Sequence, residues 1–169
     1  LFKDYWERMN KSLEYMAEKK QRTCIRLTMI KEMNMLHPKK YANLIIKGDP
    51  DFIEIKAYMF VGASRQRLDK KNMPYHEDIV EFSKELIEYL PEYEIVSEHI
   101  SSRVIMLAKK KFKKNGKWHT WIDFPKYHKL VNSNKEFTAD DYLKPTPLTG
   151  LSGKGTLDRK KDTYKEMKL

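Results

Sequence analysis

The feature that most constrains the fold is a regular alternation of helix and strand patterns over the first part of the chain. Apolar residues recur every three or four positions within residues 1–20, which predicts an amphipathic helix. Residues 23–30 and 52–59 instead alternate apolar and polar side chains, as strands do. Further helices are predicted from Pro38 to Gly48 and over residues 74–90. This order is typical of βαβ units with parallel strands and right-handed crossovers.

Two predicted parallel strands are too few for a sheet that is covered on both faces. The chain has 169 residues and begins with Leu1 instead of methionine. We therefore expect an incomplete piece of a larger α/β protein, with further strands upstream of Leu1.

Beyond residue 91 the sequence pattern changes, and only short strands, turns and helices are predicted. An Asn-Gly pair between two short strands favours a type I′ hairpin turn, and a Thr followed three residues later by Asp resembles a capping box. The predicted elements are strands over 93–97, 103–108 and 118–122, a turn at Asn115-Gly116, a helix starting near Asp123 and Pro125, and a capped turn from Thr138 to Asp141. From Pro145 onward the composition predicts an extended or disordered tail.

The net charge of +10 favours a polyanionic partner such as nucleic acid, although a lysine-rich proteome would give the same balance. No run is long and apolar enough to span a bilayer, so we expect no membrane association. Cys24 is the only cysteine, which excludes an internal disulfide and favours a cytoplasmic setting. We expect Cys24 to be a core residue, because no other cysteine lies near it.

Each of the two predicted parallel strands has one polar face. Arg26 and Thr28 share a face of the first strand, and Glu54 and Lys56 share a face of the second. If the sheet curves into a barrel with helices outside, these side chains point into the lumen, where charges must pair or bind a ligand. An internal Arg26–Glu54–Lys56 network and contact with a ligand are both consistent with this pattern.

Several blocks, in order, resemble the C-terminal half of tRNA 4-demethylwyosine synthases, the radical S-adenosylmethionine enzymes of the wyosine pathway. The blocks are Arg22-Thr23-Cys24-Ile25-Arg26-Leu27-Thr28, residues 50–59, Met73-Pro74-Tyr75-His76-Glu77, residues 93–96, Ser101-Ser102-Arg103-Val104 and residues 118–123. The resemblance implies that residues 1–90 are the C-terminal part of a partial (β/α)6 radical-SAM barrel. It further implies a wyosine-specific α+β extension over residues 91–144, followed by a basic flexible tail over residues 145–169.

The same resemblance implies an activity. Family members condense N1-methylguanosine beside the anticodon of tRNA(Phe) with pyruvate, and they use S-adenosyl-L-methionine and [4Fe-4S] clusters held by N-terminal cysteines. This chain has none of those cysteines. We therefore expect it to need the N-terminal half of the same protein and to be inactive alone. Two alternatives are a non-catalytic tRNA-binding domain that lacks the iron–sulfur half and a different radical enzyme that shares only the barrel strands.

By analogy with the family, the polar strand faces line the active site. We expect Glu54 and Lys56 to be catalytic residues. Cofactor contacts are expected from Arg26, Thr28, Asn34 and Tyr58.

Two basic segments are candidates for RNA binding. The first is the loop after the second strand, where substrate would approach a barrel, and the second is a lysine-rich hairpin with two tryptophans beside it. A solvated charge run and an ordinary lysine-rich hairpin are the respective alternatives. The expected RNA-binding residues are Ser64, Arg65, Arg67, Lys70, Lys71, His76, Arg103, Lys110, Lys111, Trp118 and Trp121.

The chain departs from the family pattern at two places. Glu32 follows Lys31 where the family usually has glycine, and the segment after Thr146 and Pro147 lacks the usual aromatic residues.

Overall fold

The computed structural model describes residues 2–146, in which four strands form one mixed sheet in the order β1-β2-β4-β3. The four strands are β1 (Cys24–Met29), β2 (Phe52–Ala57), β3 (Tyr93–His99) and β4 (Val104–Lys109). Three helices precede or connect these strands, namely α1 (Tyr5–Ala17), α2 (Pro38–Gly48) and α3 (His76–Ile87). The predicted mixed α/β class is confirmed.

Strand β1 pairs with β2 in parallel, from Cys24 opposite Phe52 to Met29 opposite Ala57. This pairing confirms the predicted βαβ unit, with α2 as its crossover helix. Strand β4 runs antiparallel to β2, and β3 runs antiparallel to β4. The sheet therefore continues across residue 90, where the sequence predicted a domain boundary, and that boundary stays a prediction.

One face of the sheet is covered by α2 and α3. Its strands contribute alternate apolar residues, and the helices contribute the residues of their inward faces. The fully buried side chains at this interface are Met29, Ile53, Ile55, Leu107, Ile45, Ile79 and Leu86. The opposite face of the sheet is therefore the one that holds the polar residues of β1 and β2.

Helix α1 packs mainly on α2. A Cβ atom at Gly48 would lie 3.0 Å from Leu13 Cδ2, so glycine at this position permits the close approach of the two helices. None of the residues of α1 is fully buried, and Trp6 is 54% exposed. The apolar stripe predicted from the sequence thus exists, but its N-terminal part is not covered by any of the residues that the structure describes.

The segment after β4 forms a small lobe of short elements. These are β5 (Lys113–Lys114), β6 (Lys117–Trp118), β7 (Trp121–Ile122), α4 (Phe124–Val131) and β8 (Leu143–Lys144). Asn115 and Gly116 have φ values of 51° and 75°, which confirms the type I′ turn between β5 and β6. The Thr138–Asp141 capping box is also confirmed, as is the helix after Asp123, whose carboxylate accepts from Lys126 N at 3.0 Å.

The single strand predicted over residues 118–122 is wrong. It is split into β6 and β7, which pair with β5 and β8 in two separate ribbons. The tail predicted from Pro145 onward lies almost entirely outside the described residues. No helix within residues 2–146 is long and apolar enough to cross a membrane.

Two isoleucines provide a matched test of the core. Ile55 is fully buried at the centre of β2, whereas Ile46 on α2 is 60% exposed. We expect Ile55→Ala to lower the free energy of unfolding by about 2–5 kcal/mol through lost burial and cavity formation. Ile46→Ala should change it by less than about 0.5 kcal/mol. Urea denaturation measures both, and equal losses in the two variants would contradict this core.

Candidate functional site

The face of the sheet that points away from the helices changes character along the strands. At the end where β1 and β2 begin, Phe52 and Ala108 pack with Phe112, Trp118 and Leu143 of the small lobe. At the other end Thr28 lies beside Lys56, and Arg26 lies beside Glu54. We call the end where β1 and β2 finish the C-terminal edge and the opposite end the N-terminal edge. The polar face is thus open towards the C-terminal edge.

Arg26 and Glu54 form a fork-like ion pair on the polar face. Both Nε and Nη2 of Arg26 lie 2.8 Å from Glu54 Oε2. Lys56 does not join Arg26 and Glu54 in a three-residue network among the described residues. Its Nζ instead donates to the carbonyl of Ser102 at 3.3 Å. The structure therefore places the two predicted catalytic residues on the same face of β2. Glu54 is held by the Arg26 guanidinium, and Lys56 is held by the Ser102 carbonyl.

The predicted cofactor-binding residues have unequal freedom. The amide of Asn34 is used within its own loop, where Oδ1 accepts from Ile30 N at 2.7 Å and Nδ2 donates to Thr28 O at 2.9 Å. Tyr58 is buried and donates its hydroxyl to Ser64 Oγ at 2.9 Å. Thr28 and Arg26 are exposed on the polar face. Asn34 and Tyr58 thus shape the loops, while Arg26 and Thr28 are accessible to a ligand.

The basic loop lies at the C-terminal edge, directly after β2. Its backbone turns at Gly62, whose φ is 59°, and continues as the 3-10 helix Gly62–Gln66. Ser64 Oγ is committed to Val61 O at 2.5 Å, and Arg65 Nε donates to Phe60 O at 3.2 Å. The residues of this loop with exposed cationic groups are Arg65, Arg67, Lys70 and Lys71.

The loop after β1 is held against the basic loop. Lys31 N donates to Asn72 O at 2.9 Å, and Asn72 Nδ2 donates to Lys31 O at 3.1 Å. Glu32 has a φ of 64°, in the left-handed region, and its carboxylate lies 3.0 Å from Lys71 Nζ. A glycine adopts this backbone conformation without strain, so Glu32 holds it at a conformational cost.

His76 and Arg103 are covered by protein, with exposures of 2% and 4%. His76 Nε2 lies 2.8 Å from Glu98 Oε2, and Arg103 Nη1 donates to Pro74 O at 2.6 Å. This burial argues against the direct RNA contacts that the sequence predicted for these two residues.

The lysine-rich hairpin lies at the N-terminal edge and is largely neutralised. The sequence shows a run of lysines without an acid, but folding brings acidic residues from distant segments beside them. The pairs are Lys109 with Asp49, Lys111 with Asp51, Lys113 with Glu94 and Lys114 with Asp140, at 2.7, 2.5, 2.7 and 3.2 Å. Lys110 and Lys117 are exposed and form no ion pair among the described residues. Trp118 and Trp121 are partly buried in the lobe.

The residues predicted to bind RNA therefore separate into two groups at opposite edges of the sheet. A strand of six residues such as β2 is about 20 Å long at ~3.3 Å per residue. The basic loop and the lysine-rich hairpin consequently cannot both line one small site on this sheet.

Sequence reasoning missed an aromatic cleft of about 440 Å³ at the N-terminal edge. The Arg22 guanidinium lies 4.7 Å and 5.6 Å from the ring centres of Phe52 and Phe112, and it donates to Thr120 O. Burial lowers the pKa of Arg22 from its ordinary value. Cys24 lines this cleft and is exposed, so the expectation that it is a core residue was wrong. Cys24 falls on the polar face of β1, which the alternation of the strand already indicated.

Within residues 2–146, no three His, Cys, Asp or Glu side chains come together in a way that would hold a metal ion.

The Tyr58–Ser64 hydrogen bond generates a prediction about the basic loop. Tyr58→Phe removes the donor, so amides of residues 62–66 should exchange faster with solvent, because the loop loses its tie to β2. Tyr93→Phe is the matched control, since it removes a buried tyrosine hydrogen bond to Pro50 O at the N-terminal edge. Hydrogen–deuterium exchange should show the loop unchanged in that variant, and equal acceleration in both would contradict the prediction.

Comparisons with known proteins agree with the resemblance seen in the sequence. A family model described as wyosine base formation matches residues 47–109, from the end of α2 to the end of β4. The S-adenosyl-L-methionine-dependent tRNA 4-demethylwyosine synthase of Schizosaccharomyces pombe is 44% identical over 92% of this chain and 24% of its own length. The corresponding Xenopus laevis synthase, TYW1, is 43% identical over 90% of this chain and 22% of its own length.

Two solved structures are similar to a large part of the chain. A structure of TYW1 with a lysine-pyruvate adduct bound has a TM-score of 0.58 and 36% identity, covering 68% of this chain and 36% of that one. An archaeal TYW1 crystal structure has a TM-score of 0.54 and 32% identity, covering 69% of this chain and 36% of that one. The chain spans about a quarter of the length of the curated relatives described above. It is therefore similar to part of the tRNA 4-demethylwyosine synthases, and its residues 47–109 match the family model of wyosine base formation.

Proposed function

We propose that this chain is part of a radical-SAM enzyme that forms 4-demethylwyosine on tRNA, and that it supplies one wall of the active site. The observation that supports this most is the coincidence of two features at the C-terminal edge. The open polar face ends there, and the basic loop begins there. In α/β sheets and barrels, substrates bind at the carboxyl ends of parallel strands.

The architecture supports a place in a partial (β/α)6 barrel. Strands β1 and β2 are parallel, and their helices cover a single face. In a barrel of this kind the helices lie outside, so the polar face would look into the lumen. The antiparallel strands β4 and β3 would then extend the sheet beyond β2 at the end of the barrel wall.

The reaction that we propose for the complete protein is condensation of N1-methylguanosine in tRNA(Phe) with pyruvate. The relatives of this chain are named as 4-demethylwyosine synthases, and the structure of one of them has a lysine-pyruvate adduct bound. S-adenosyl-L-methionine, when bound, would supply the radical in this class of enzyme. The residues described here do not fit an iron–sulfur cluster, since Cys24 is the only cysteine, so cluster ligands would come from another part of the protein.

The polar face offers chemically distinct groups to the cofactor and substrates. Lys56 donates one N–H to Ser102 O and has further donors for a carboxylate, either of pyruvate or of the methionine part of the cofactor. Glu54 accepts from Arg26 at Oε2, and its second carboxylate oxygen is a further acceptor on the polar face. The Thr28 hydroxyl is exposed beside Lys56 and can accept or donate.

The basic loop is the surface that we propose for tRNA. Its exposed cations, Arg65, Arg67, Lys70 and Lys71, stand at the edge through which a base would enter the site. The lysine-rich hairpin is a weaker candidate, because four lysines in its neighbourhood are already paired with acids.

Charge reversal at the two edges tests this assignment in the complete enzyme. We expect Arg65→Glu with Arg67→Glu to weaken tRNA binding at least about tenfold and to flatten the slope of log affinity against log salt by about two. Lys110→Glu with Lys117→Glu makes the same charge change at the N-terminal edge and is expected to have a smaller effect. Binding titrations across a salt series measure both pairs. An equal or larger effect of the hairpin pair would refute the proposed tRNA surface.

Product formation tests the catalytic part of the proposal. The complete protein, supplied with N1-methylguanosine-containing tRNA, pyruvate, S-adenosylmethionine and a reductant, should yield 4-demethylwyosine, detected by mass spectrometry of digested nucleosides. Lys56→Met should lower the rate at least about tenfold, because an oriented charge near the reacting groups is lost. Tight tRNA binding without any product would instead support the alternative of a non-catalytic tRNA-binding domain.

A further inference from the structure

We propose that Arg103 is a positioning residue that holds the ammonium group of Lys56 in place through the turn between β3 and β4. This inference rests on the proposed function, in which Lys56 binds a carboxylate of pyruvate or of the cofactor at the C-terminal edge. Helix α3 and strand β3 separate Arg103 from the basic loop along the chain, and the role proposed for it differs from the RNA contact that the sequence predicted.

The turn has a conformation that needs support. Residues Ile100–Ser102 form one turn of 3-10 helix, and Arg103 N donates to Ile100 O at 2.9 Å. Arg103 itself has a φ of 50°, in the left-handed region. A residue with a side chain is less stable there by about 1–2 kcal/mol, so the surrounding contacts must maintain this geometry.

The side chain of Arg103 provides that support. It is 4% exposed, its Nη1 donates to Pro74 O at 2.6 Å, and its guanidinium lies 5.8 Å from the Tyr75 ring centre. Pro74 and Tyr75 immediately precede α3. Burial lowers the pKa of Arg103, and Tyr75, Glu77 and Asp78 oppose that shift. Arginine side chains stay charged in proteins, so Arg103 is a cation here. The guanidinium therefore fastens the β3–β4 turn to the start of α3.

The backbone on the other side of the turn holds β2. The carbonyl of Arg103 accepts from Ala57 N at 3.0 Å, and the preceding carbonyl, of Ser102, accepts from Lys56 Nζ at 3.3 Å. His99 Nδ1 lies 2.7 Å from Ser102 Oγ and restrains the same residue. Because two successive carbonyls contact two successive residues of β2, rotation of the turn would displace the Lys56 amine.

This arrangement makes a specific kinetic prediction. If Arg103 acts through Lys56, its loss should lower kcat while the affinity for tRNA stays nearly constant. A residue that contacted RNA phosphate would behave in the opposite way, raising the Kd for tRNA and reducing the salt slope. A residue that served stability alone would lower the melting temperature without depending on Lys56.

The experiment is a double-mutant cycle in the complete enzyme, with Arg103→Met, Lys56→Met and the double variant. We expect each single variant to lose at least about tenfold in kcat and the double variant to lose no more than Lys56→Met alone. The Kd for tRNA should stay within about twofold in all three. Arg8→Met, which removes an exposed arginine from α1, is the control for loss of a cation elsewhere.

Each outcome decides a different question. Multiplicative losses in the double variant would overturn the positioning role and leave the proposed function intact. Full activity of Lys56→Met would overturn the positioning role of Arg103 and the part proposed for Lys56, because the Lys56–Ser102 contact would then have no effect on the reaction. Failure of the unchanged complete protein to form 4-demethylwyosine would instead overturn the proposed function itself. If Arg103→Met does not fold, Arg103→Lys keeps a donor for Pro74 O, and the same cycle with Lys56→Met is then measured on that variant. A raised Kd for tRNA with a flattened salt slope would assign Arg103 to RNA contact instead.

Discussion

The structure depends on the position of β2 between a parallel and an antiparallel neighbour. Through β1 it belongs to a βαβ unit, whose crossover helix must lie on one face of the sheet. Through β4 it is joined to an antiparallel pair whose two strands, β3 and β4, are connected by a tight turn. Since α2 and α3 both cover the same face, the opposite face of β1 and β2 is free to hold Arg26, Glu54 and Lys56. The location of the candidate site follows directly from this one-sided covering.

Local features of the fold could be predicted because they depend on neighbouring residues. The alternation in β1 and β2, the Asn115-Gly116 turn and the cap at Asp123 each need only a few adjacent side chains. The partners of β3 and β4 could not be predicted, because the pairing of β4 with β2 joins segments about fifty residues apart that no local pattern connects. The charge of the hairpin was overestimated for a related reason. Asp49, Asp51, Glu94 and Asp140 neutralise it only after the chain has folded.

The candidate site shows the same division. The polar pattern predicted that Arg26, Thr28, Glu54 and Lys56 share one face, and their register across β1 and β2 agrees with that prediction. Their roles at the site stay predictions. The pattern could not show that Lys56 is held by Ser102, or that Arg103 is buried against Pro74, because these contacts join segments that are 46 and 29 residues apart in the chain. Arginine in a basic, matching block was read as an RNA contact, and only its burial separates a supporting arginine from a contacting one.

The two edges of the sheet differ in the groups that they leave open. At the N-terminal edge, apolar contacts of the small lobe and ion pairs of the hairpin occupy many side chains, and the open part is the mainly aromatic cleft beside Arg22. At the C-terminal edge, two loops are joined through Asn72 and Lys31, and Glu32 retains a left-handed backbone there at a cost that glycine would avoid. A left-handed residue, Asp49, also precedes β2 at the N-terminal edge, so backbone strain alone does not distinguish the two edges. What distinguishes the C-terminal edge is the polar face with Arg26 and Thr28 exposed beside the basic loop, which is the arrangement that a substrate-binding wall requires.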